Sequence, residues 1–551
     1  MTKAVLYLRT VRHLKFRQIF FRLLRRLRKP RLPQRPAPAT PRPGVSLGAP
    51  LTRPRGGAHD FAFRFLNREI VLSPRRVDWK PAGADRLWRY NLQYFDYLHD
   101  AGRSHESGKI LIDSWIAANP PGATDAWDPF PLSLRIVNWI KYFLASESPP
   151  SARWLESLYS QALWLEQSVE YHLLANHYFK NGKALVFAGL YFSGRDAERW
   201  LRKGLEIVSR ELAEQILPDG GHFERSPMYH AMILEDCLDL LNLCDGRPEG
   251  EVGQLCEQLR GVVPPMLRFL TAMTHPDGEI ALFNDAAIGI EAPPRLLVAY
   301  WERLSGTRFV HNRERTAGFP ATGYFVMAPG EDDRLIVDCG PVGPSYQPGH
   351  AHCDTLSFEL SLGGRRVIVD SGCGRYQAGE VRSYQRGNAG HNTLTIDERN
   401  QSEVWGAHRL ARRAGPLSPS LELLPDGTLS FTGGHDGYRR LPGSPLHRRT
   451  ISWRERTIRV LDAVSGEGRH LVESRLHLHP DCRLTREGTG FAVTVDGVAL
   501  FHVSRIDAGA VHARSGRYSP GFGIFHDCPL LVAVHSARLP HLGGWIIERA
   551  P

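Results

Sequence analysis

The feature that most constrains this chain is a change of hydrophobic period near residue 316. Before it, apolar residues recur at helical spacing. Trp154, Leu158, Leu165 and Val169 hold one face of a long segment, and Leu234, Leu238 and Leu241 hold one face of another. Breaks such as Pro218-Asp219-Gly220-Gly221 and Pro276-Asp277-Gly278 separate these pieces. After it the period is two: Leu356, Phe358, Leu360 and Leu362 alternate, Gly363-Gly364 offers a tight turn, and Val367 and Val369 resume the pattern. The alternation returns at Leu394 and Ile396 and again from Ile451 to Leu461. A stripe written for one period cannot be buried by an element of the other. The sequence therefore predicts a multidomain α+β protein, helical over residues 58–315 and built of stacked antiparallel sheets over 316–551. A length of 551 residues also exceeds what one core usually serves.

The net charge of +11 suggests a nucleic-acid partner until its distribution is read. Residues 1–57 hold 15 Lys or Arg and no acid, leaving 54 of the 69 basic groups and all 58 acidic ones to the rest, a net of −4. The folded body is near neutral, and bulk charge gives no reason to expect nucleic-acid binding. Within Val5 to Lys29, Ile19, Leu23 and Leu27 recur on one face while Arg22, Arg25, Arg26 and Lys29 lie on another. Two fates suit such a basic amphipathic segment: contact with an anionic membrane surface, or docking on its own domain. Its apolar stretches are cut by charge, a poor match to a signal peptide. The expectation is a cytoplasmic protein, or one peripheral to the inner membrane, rather than a secreted one. Residues 30–57, rich in Pro and Arg, read as an extended linker. No apolar run reaches the roughly 18–20 residues a membrane span needs. The eight cysteines are scattered without a Cys-x-x-Cys pair and read as reduced thiols.

Four places concentrate groups that are costly to bury without a purpose. Asn176-His177, followed by Asn181, lies at the end of a helical pattern, where the asparagines could equally serve as caps. In His222 to His230 a glycine-rich loop enters a new helix, with Ser226 and Pro227 suited to its start and Tyr229 in its first turn. His350 and His352, two apart, would face one side of an extended chain. Asp370 to His391 adds Arg375, Tyr376, Tyr384 and Arg386. His-x-His with Asp370 and His391 forms a divalent-metal set by residue type. In a straight hairpin Asp370 would sit opposite Ser357, too far from His352, so a shared ion requires residues 349–354 to curl back. Nine of the twelve tryptophans fall in the helical part, where flat rings can line a sugar cleft as well as fill a core.

In their order along the chain these motifs resemble the heparinase II/III family of polysaccharide lyases and related alginate lyases. The resemblance rests on Asn176-His177, His222 to His230, Gly349-His350-Ala351-His352, Asp370-Ser371-Gly372, Tyr384-x-Arg386 with His391-Asn392-Thr393, and Gln401 to Gly406. It implies an incomplete α/α toroid followed by stacked sheets, with a cleft between them. It also implies β-elimination at a uronic acid of an anionic polysaccharide (a glycosaminoglycan, alginate or similar exopolymer). Asn176 with His177 would neutralise the carboxylate, while Tyr229 and His350 serve as acid and base. His352, Asp370 and His391 match the family's metal ligands, with zinc, or alternatively manganese, shaping the cleft. Arg135, Arg225, Arg375, Tyr384 and Arg386 are candidates for gripping the polymer, since guanidinium pairs bidentately with carboxylate or sulfate. Tyr229 could act as base as well as acid if Arg225 or Arg375 lowered its pKa. A uronate C5-epimerase and a non-catalytic sugar-binding component of a polymer-synthesis system are the alternatives. Paired carboxylates for glycoside hydrolysis are absent from these clusters.

Overall fold

The structure, a computed structural model, describes residues 3–33, 39–247, 249–310, 314–507 and 509–550. Two basic helices, α1 (Lys3–Val11) and α2 (Phe16–Leu27), precede a small hairpin of Ala62–Phe65 with Arg68–Val71. Then come α3 (Arg86–Tyr94), α4 (His105–Ala118), α5 (Pro129–Ala145), α6 (Ala152–Ser168), α7 (Ala175–Tyr191), α8 (Arg195–Gln215), α9 (Pro227–Cys244), α10 (Gly250–Ala272) and α11 (Pro294–Ser305). Helices α3, α5, α7, α9 and α11 touch in succession as an inner row, and α4, α6, α8 and α10 touch in succession outside them. This is an incomplete α/α toroid. The two rows follow from composition. Inner α7 is buried over 16 of its 17 residues, whereas outer α8 keeps charge on one face and buries Trp200, Ile207 and Val208 on the other. Gly204 lets α8 lie against α7: a Cβ there would fall 2.6 Å from the Val186 nitrogen.

The second half contains a five-stranded antiparallel sheet in chain order, from Thr316–Phe319 through Tyr324–Met327, Arg334–Asp338 and Phe358–Leu362 to Arg365–Ile368. Sheets of eight and four strands stack on it. Phe325, Val337 and Phe358 of the first share one core with Phe431, Ile451 and Trp545 of the second and Leu531 of the third. The turn at Gly363-Gly364 pairs Leu362 with Arg365, but a bulge then shifts the register, placing Leu360 opposite Ile368. The strand begins at Phe358 rather than near Thr355. Residues 349–357 curl instead of continuing it, with Leu356 left-handed at φ 68°.

Phe269, Met273 and Phe283 pack on Phe319, Tyr324 and Ile336, so an apolar seam joins the halves. Residues 39–57 run over the helical part rather than standing free: the Arg42 amide donates to the Tyr191 carbonyl and the Gly48 amide to Asn242 Oδ1. The eight cysteines are buried and unpaired with one another. No described helix is long and apolar enough to cross a membrane.

Candidate active site

Asn176, His177, Tyr229 and His350 line one cavity of about 340 Å³ between the two halves. Asn176 sits at the start of a helix, not the end of one. Helix α6 ends at Ser168, and Leu174 and Ala175, the residue before α7 and its first residue, take positive φ (64° and 52°). Each such residue stores on the order of 1–3 kcal/mol. Arg225 and Asn284, also left-handed at φ 58°, flank the same site. Asn181 holds this break rather than capping a helix end, because its Oδ1 accepts from the Glu170 amide at 2.7 Å. Asn176 Nδ2 donates to Glu224 Oε1 at 2.8 Å. His177 Nδ1 lies 3.1 Å from Glu170 Oε2, and its ring rests on Phe130. Burial disfavours charge on His177, but the Glu170 carboxylate more than offsets it and the pKa is raised. The helical wall thus offers an amide and a cation-prone imidazole side by side.

Tyr229 stands in the first turn of α9, where Ser226 Oγ accepts its amide as the N-cap and Pro227 opens the helix. Its ring centroid lies 4.0 Å from that of His350, and its hydroxyl is 3.0 Å from the Tyr376 hydroxyl. Burial raises the Tyr229 pKa well above its ordinary value. Neither arginine expected to lower it does so. Arg225 turns away to donate to the carbonyls of Thr322, Phe223 and Ala321. Arg375 lies outside the cavity, over the Phe525 ring at 4.7 Å.

His350 and His352 do face together, and a residue the sequence reading missed receives both. Asp285, fully buried between α10 and α11, lies 2.9 Å from His350 Nδ1 and 2.8 Å from His352 Nε2. Arg382 closes on the same carboxylate with both terminal nitrogens. Burial alone would raise the Asp285 pKa, but Arg382 and the two imidazoles hold it well below the carboxylate range. An ionised carboxylate only accepts, so the facing nitrogens carry the protons. Burial keeps the His352 ring neutral, so its Nδ1 has a free lone pair, and His350 Nε2 is the nitrogen turned away from Asp285. Glu224 Oε2 lies 3.6 Å from His350 Nε2, and His408 and Tyr376 complete this side of the cavity. The one sequence signal for Asp285 is a carboxylate directly after the apolar run Ile280 to Phe283, broken only by Asn284.

Most of the expected polymer grips are structural. Arg135 is fully buried, donates to Gln161 and the Gln93 carbonyl, and lies 3.9 Å from the Trp115 ring centroid. Arg386 is buried and clamps the carbonyls of Ala351, Gly406 and Arg409, which fixes the loop bearing His350. Tyr384 bonds His477 at 2.9 Å, away from the cavity. Arg375 alone of the five is exposed, beside Tyr376. The cations that do line the cavity, Arg53, Lys141, Lys180 and Lys183, are paired with Glu235, Glu291, Asp236 and Asp239.

Two of the three expected metal ligands, His352 and His391, gather with Asp354. His352, Asp354 and His391 place one potential ligand atom each within 4.8 Å of one another. His352 Nδ1 and His391 Nε2 are buried without a hydrogen-bond partner, which fits a bound cation. Asp370 stands behind His391, with Oδ2 2.7 Å from its Nδ1. The curl of residues 349–357 brings Asp354 beside His352 and His391.

Residues 64–296 match the family description "Heparinase II/III N-terminus", and residues 311–536 match "Heparinase II/III-like, C-terminal". The chain belongs to the heparinase II/III-like family. This family member is 24% identical over 387 residues to a heparin-sulfate lyase of Bacteroides stercoris, covering 64% of this chain and 56% of that one. It thus spans little more than half the length of that relative. It is 26% identical over 512 residues to the FtsZ-localized protein C of Caulobacter vibrioides, covering 84% of this chain and 83% of that one. Its fold is that of a solved heparinase III, with a TM-score of 0.67 at 19% identity over 86% of this chain and 79% of that one.

Proposed function

We propose that this heparinase II/III-like chain is a polysaccharide lyase that cleaves a uronate-containing polymer by β-elimination. The observation that carries the reading is the meeting of Asn176, His177, Tyr229 and His350 in one cavity, although they are spread over 175 residues of sequence. The relatives named as heparin-sulfate lyases make a glycosaminoglycan the first polymer class to test.

In this reading the uronate carboxylate meets the Asn176 amide and the His177 imidazole, which offset the second negative charge that builds up when the C5 proton leaves. His350 in its neutral form takes that proton through Nε2, while Asp285 orients the ring from Nδ1. Tyr229, held protonated by burial, donates to the departing O4. This split gives the roles of base and acid to two touching side chains, one from each half of the chain, whose ring centroids lie 4.0 Å apart. His352, Asp354 and His391 would hold a divalent ion, and two nitrogens with one carboxylate suit zinc. Asp370 would orient His391 from behind. Such an ion supplies a fixed positive charge beside the His350 loop, and both proton transfers belong to side chains.

A panel of glycosaminoglycans, alginate and other uronate polymers, read by ultraviolet absorbance of the unsaturated product, tests the proposal. Solvent deuterium entering C5 without chain shortening would instead identify an epimerase. One observation favours a second reading, a non-catalytic component. The relative matched along 84% of this chain is named for localisation with FtsZ, not for a reaction. That reading predicts saturable polymer binding with no product, even with added metal.

A further inference from the structure

The N-terminal helices dock on the body by one face only. Gln18 of α2 is buried and reaches the Leu173 carbonyl on the helical side and the Tyr346 carbonyl on the β side. Phe21 packs on Tyr171, and Lys15 pairs with Glu214. In α1, Arg9 pairs with Glu403 at 2.9 Å and Tyr7 packs edge-on against Trp405. The two helices therefore strap the halves together. The side turned away from the body is apolar. Phe16, Phe20, Leu23 and Leu27, spaced at i, i+4, i+7 and i+11, form one stripe on α2, with exposures of 80, 48, 56 and 83%. Val5, Leu8 and Val11 of α1 are exposed as well. Of the 16 large apolar residues exposed among the described residues, nine lie between Val5 and Leu27. Arg12, Arg22, Arg25, Arg26, Arg28 and Lys29 are exposed along the same segment, and residues 1–57 contain no acid.

We propose that this face seats the protein on an anionic lipid membrane, lying in the interface rather than crossing it. An apolar stripe edged by cations matches acyl chains beneath acidic headgroups. A second copy of the same face would bring cation against cation, with no acid to offset them. An anionic polysaccharide would satisfy the arginines but leave Phe16, Phe20, Leu23 and Leu27 in water. Because the strap bears on the loop around Leu173, next to Asn176, the cavity would sit close to the bilayer surface.

The test uses the full chain, sedimented with phosphatidylcholine vesicles, with vesicles also containing phosphatidylglycerol, and with free heparin as competitor. The expected result is binding to the anionic vesicles only, weakened by salt. Phe20→Ser/Leu23→Ser should lower it more than tenfold, and Arg22→Gln/Arg26→Gln by about fivefold per charge removed. All these residues are exposed, so an unchanged thermal melt shows that the variants are folded. Three outcomes would overturn the proposal: no vesicle binding by the wild type, binding that survives Phe20→Ser/Leu23→Ser, or a dimer in light scattering that the same variant abolishes. A segment that binds heparin equally with and without the apolar pair, while ignoring vesicles, would assign it to the polymer instead.

Discussion

The two walls of the cavity are built on different principles. On the helical wall, Asn176 and Tyr229 occupy the first turns of α7 and α9, so regular secondary structure aims them, and a single partner adjusts each: Glu224 for Asn176, Tyr376 for Tyr229. On the β wall, His350 lies in a loop without regular structure. Its position depends on Asp285, on Arg382 behind Asp285, and on Arg386 gripping the Ala351 carbonyl. Helix ends position side chains through local backbone geometry. A loop needs long-range charge and hydrogen bonds to reach the same precision. The helical wall should therefore tolerate changes to neighbours that the β wall does not.

The largest contrast should come from the reacting groups. Tyr229→Phe and His350→Ala should each lower kcat by 10²–10⁴ with little loss of fold, measured as initial rate on the best polymer of the panel. Asp285→Asn comes next: about a hundredfold loss of kcat, because the His350 tautomer is no longer fixed. It should also lose roughly 3–5 kcal/mol of stability, because Arg382 keeps its charge without a partner. The matching change on the helical wall, Glu170→Gln, should cost about tenfold in rate and little stability. Equal losses from these two variants in paired urea melts and kinetics would erase the distinction between the walls. Arg386→Ala should destabilise by roughly 2–3 kcal/mol, and Arg386→Lys should rescue little, because one ammonium cannot span carbonyls that a fork does. Chelation, or His391→Ala, should lower the melting temperature and the metal content found by elemental analysis while sparing most activity. The smallest effect belongs to Arg375→Ala, exposed at the rim, which should raise KM no more than a few-fold.

Much of this was legible in the sequence, for reasons tied to particular residues. Periodicity is a local signal, so the helical and sheet halves and the start of α9 at Ser226-Pro227 could be read directly. The resemblance placed Asn176, His177, Tyr229 and His350 together. Partners across the fold were beyond local reading: Asp285 meets His350 from 65 residues away, and its one local signal, a carboxylate after an apolar run, names no partner. Arginine misled for a physical reason. The donors that grip a substrate carboxylate also clamp backbone carbonyls, and Arg135, Arg225 and Arg386 do the latter inside the protein. The approach of Asp354 to His352 and His391 turned on the curl of residues 349–357, which small residues permit but do not dictate.

The central claim is that Tyr229 and His350, side by side in one cavity, act as acid and base and eject O4 without water. Product mass on the best polymer, compared between wild type and the Tyr229→Phe/His350→Ala double variant, tests it most directly. The account predicts an unsaturated product one water lighter than the hydrolytic fragment, and none from the double variant. Undiminished product from the double variant, or a wild-type product at the hydrolytic mass, would contradict it.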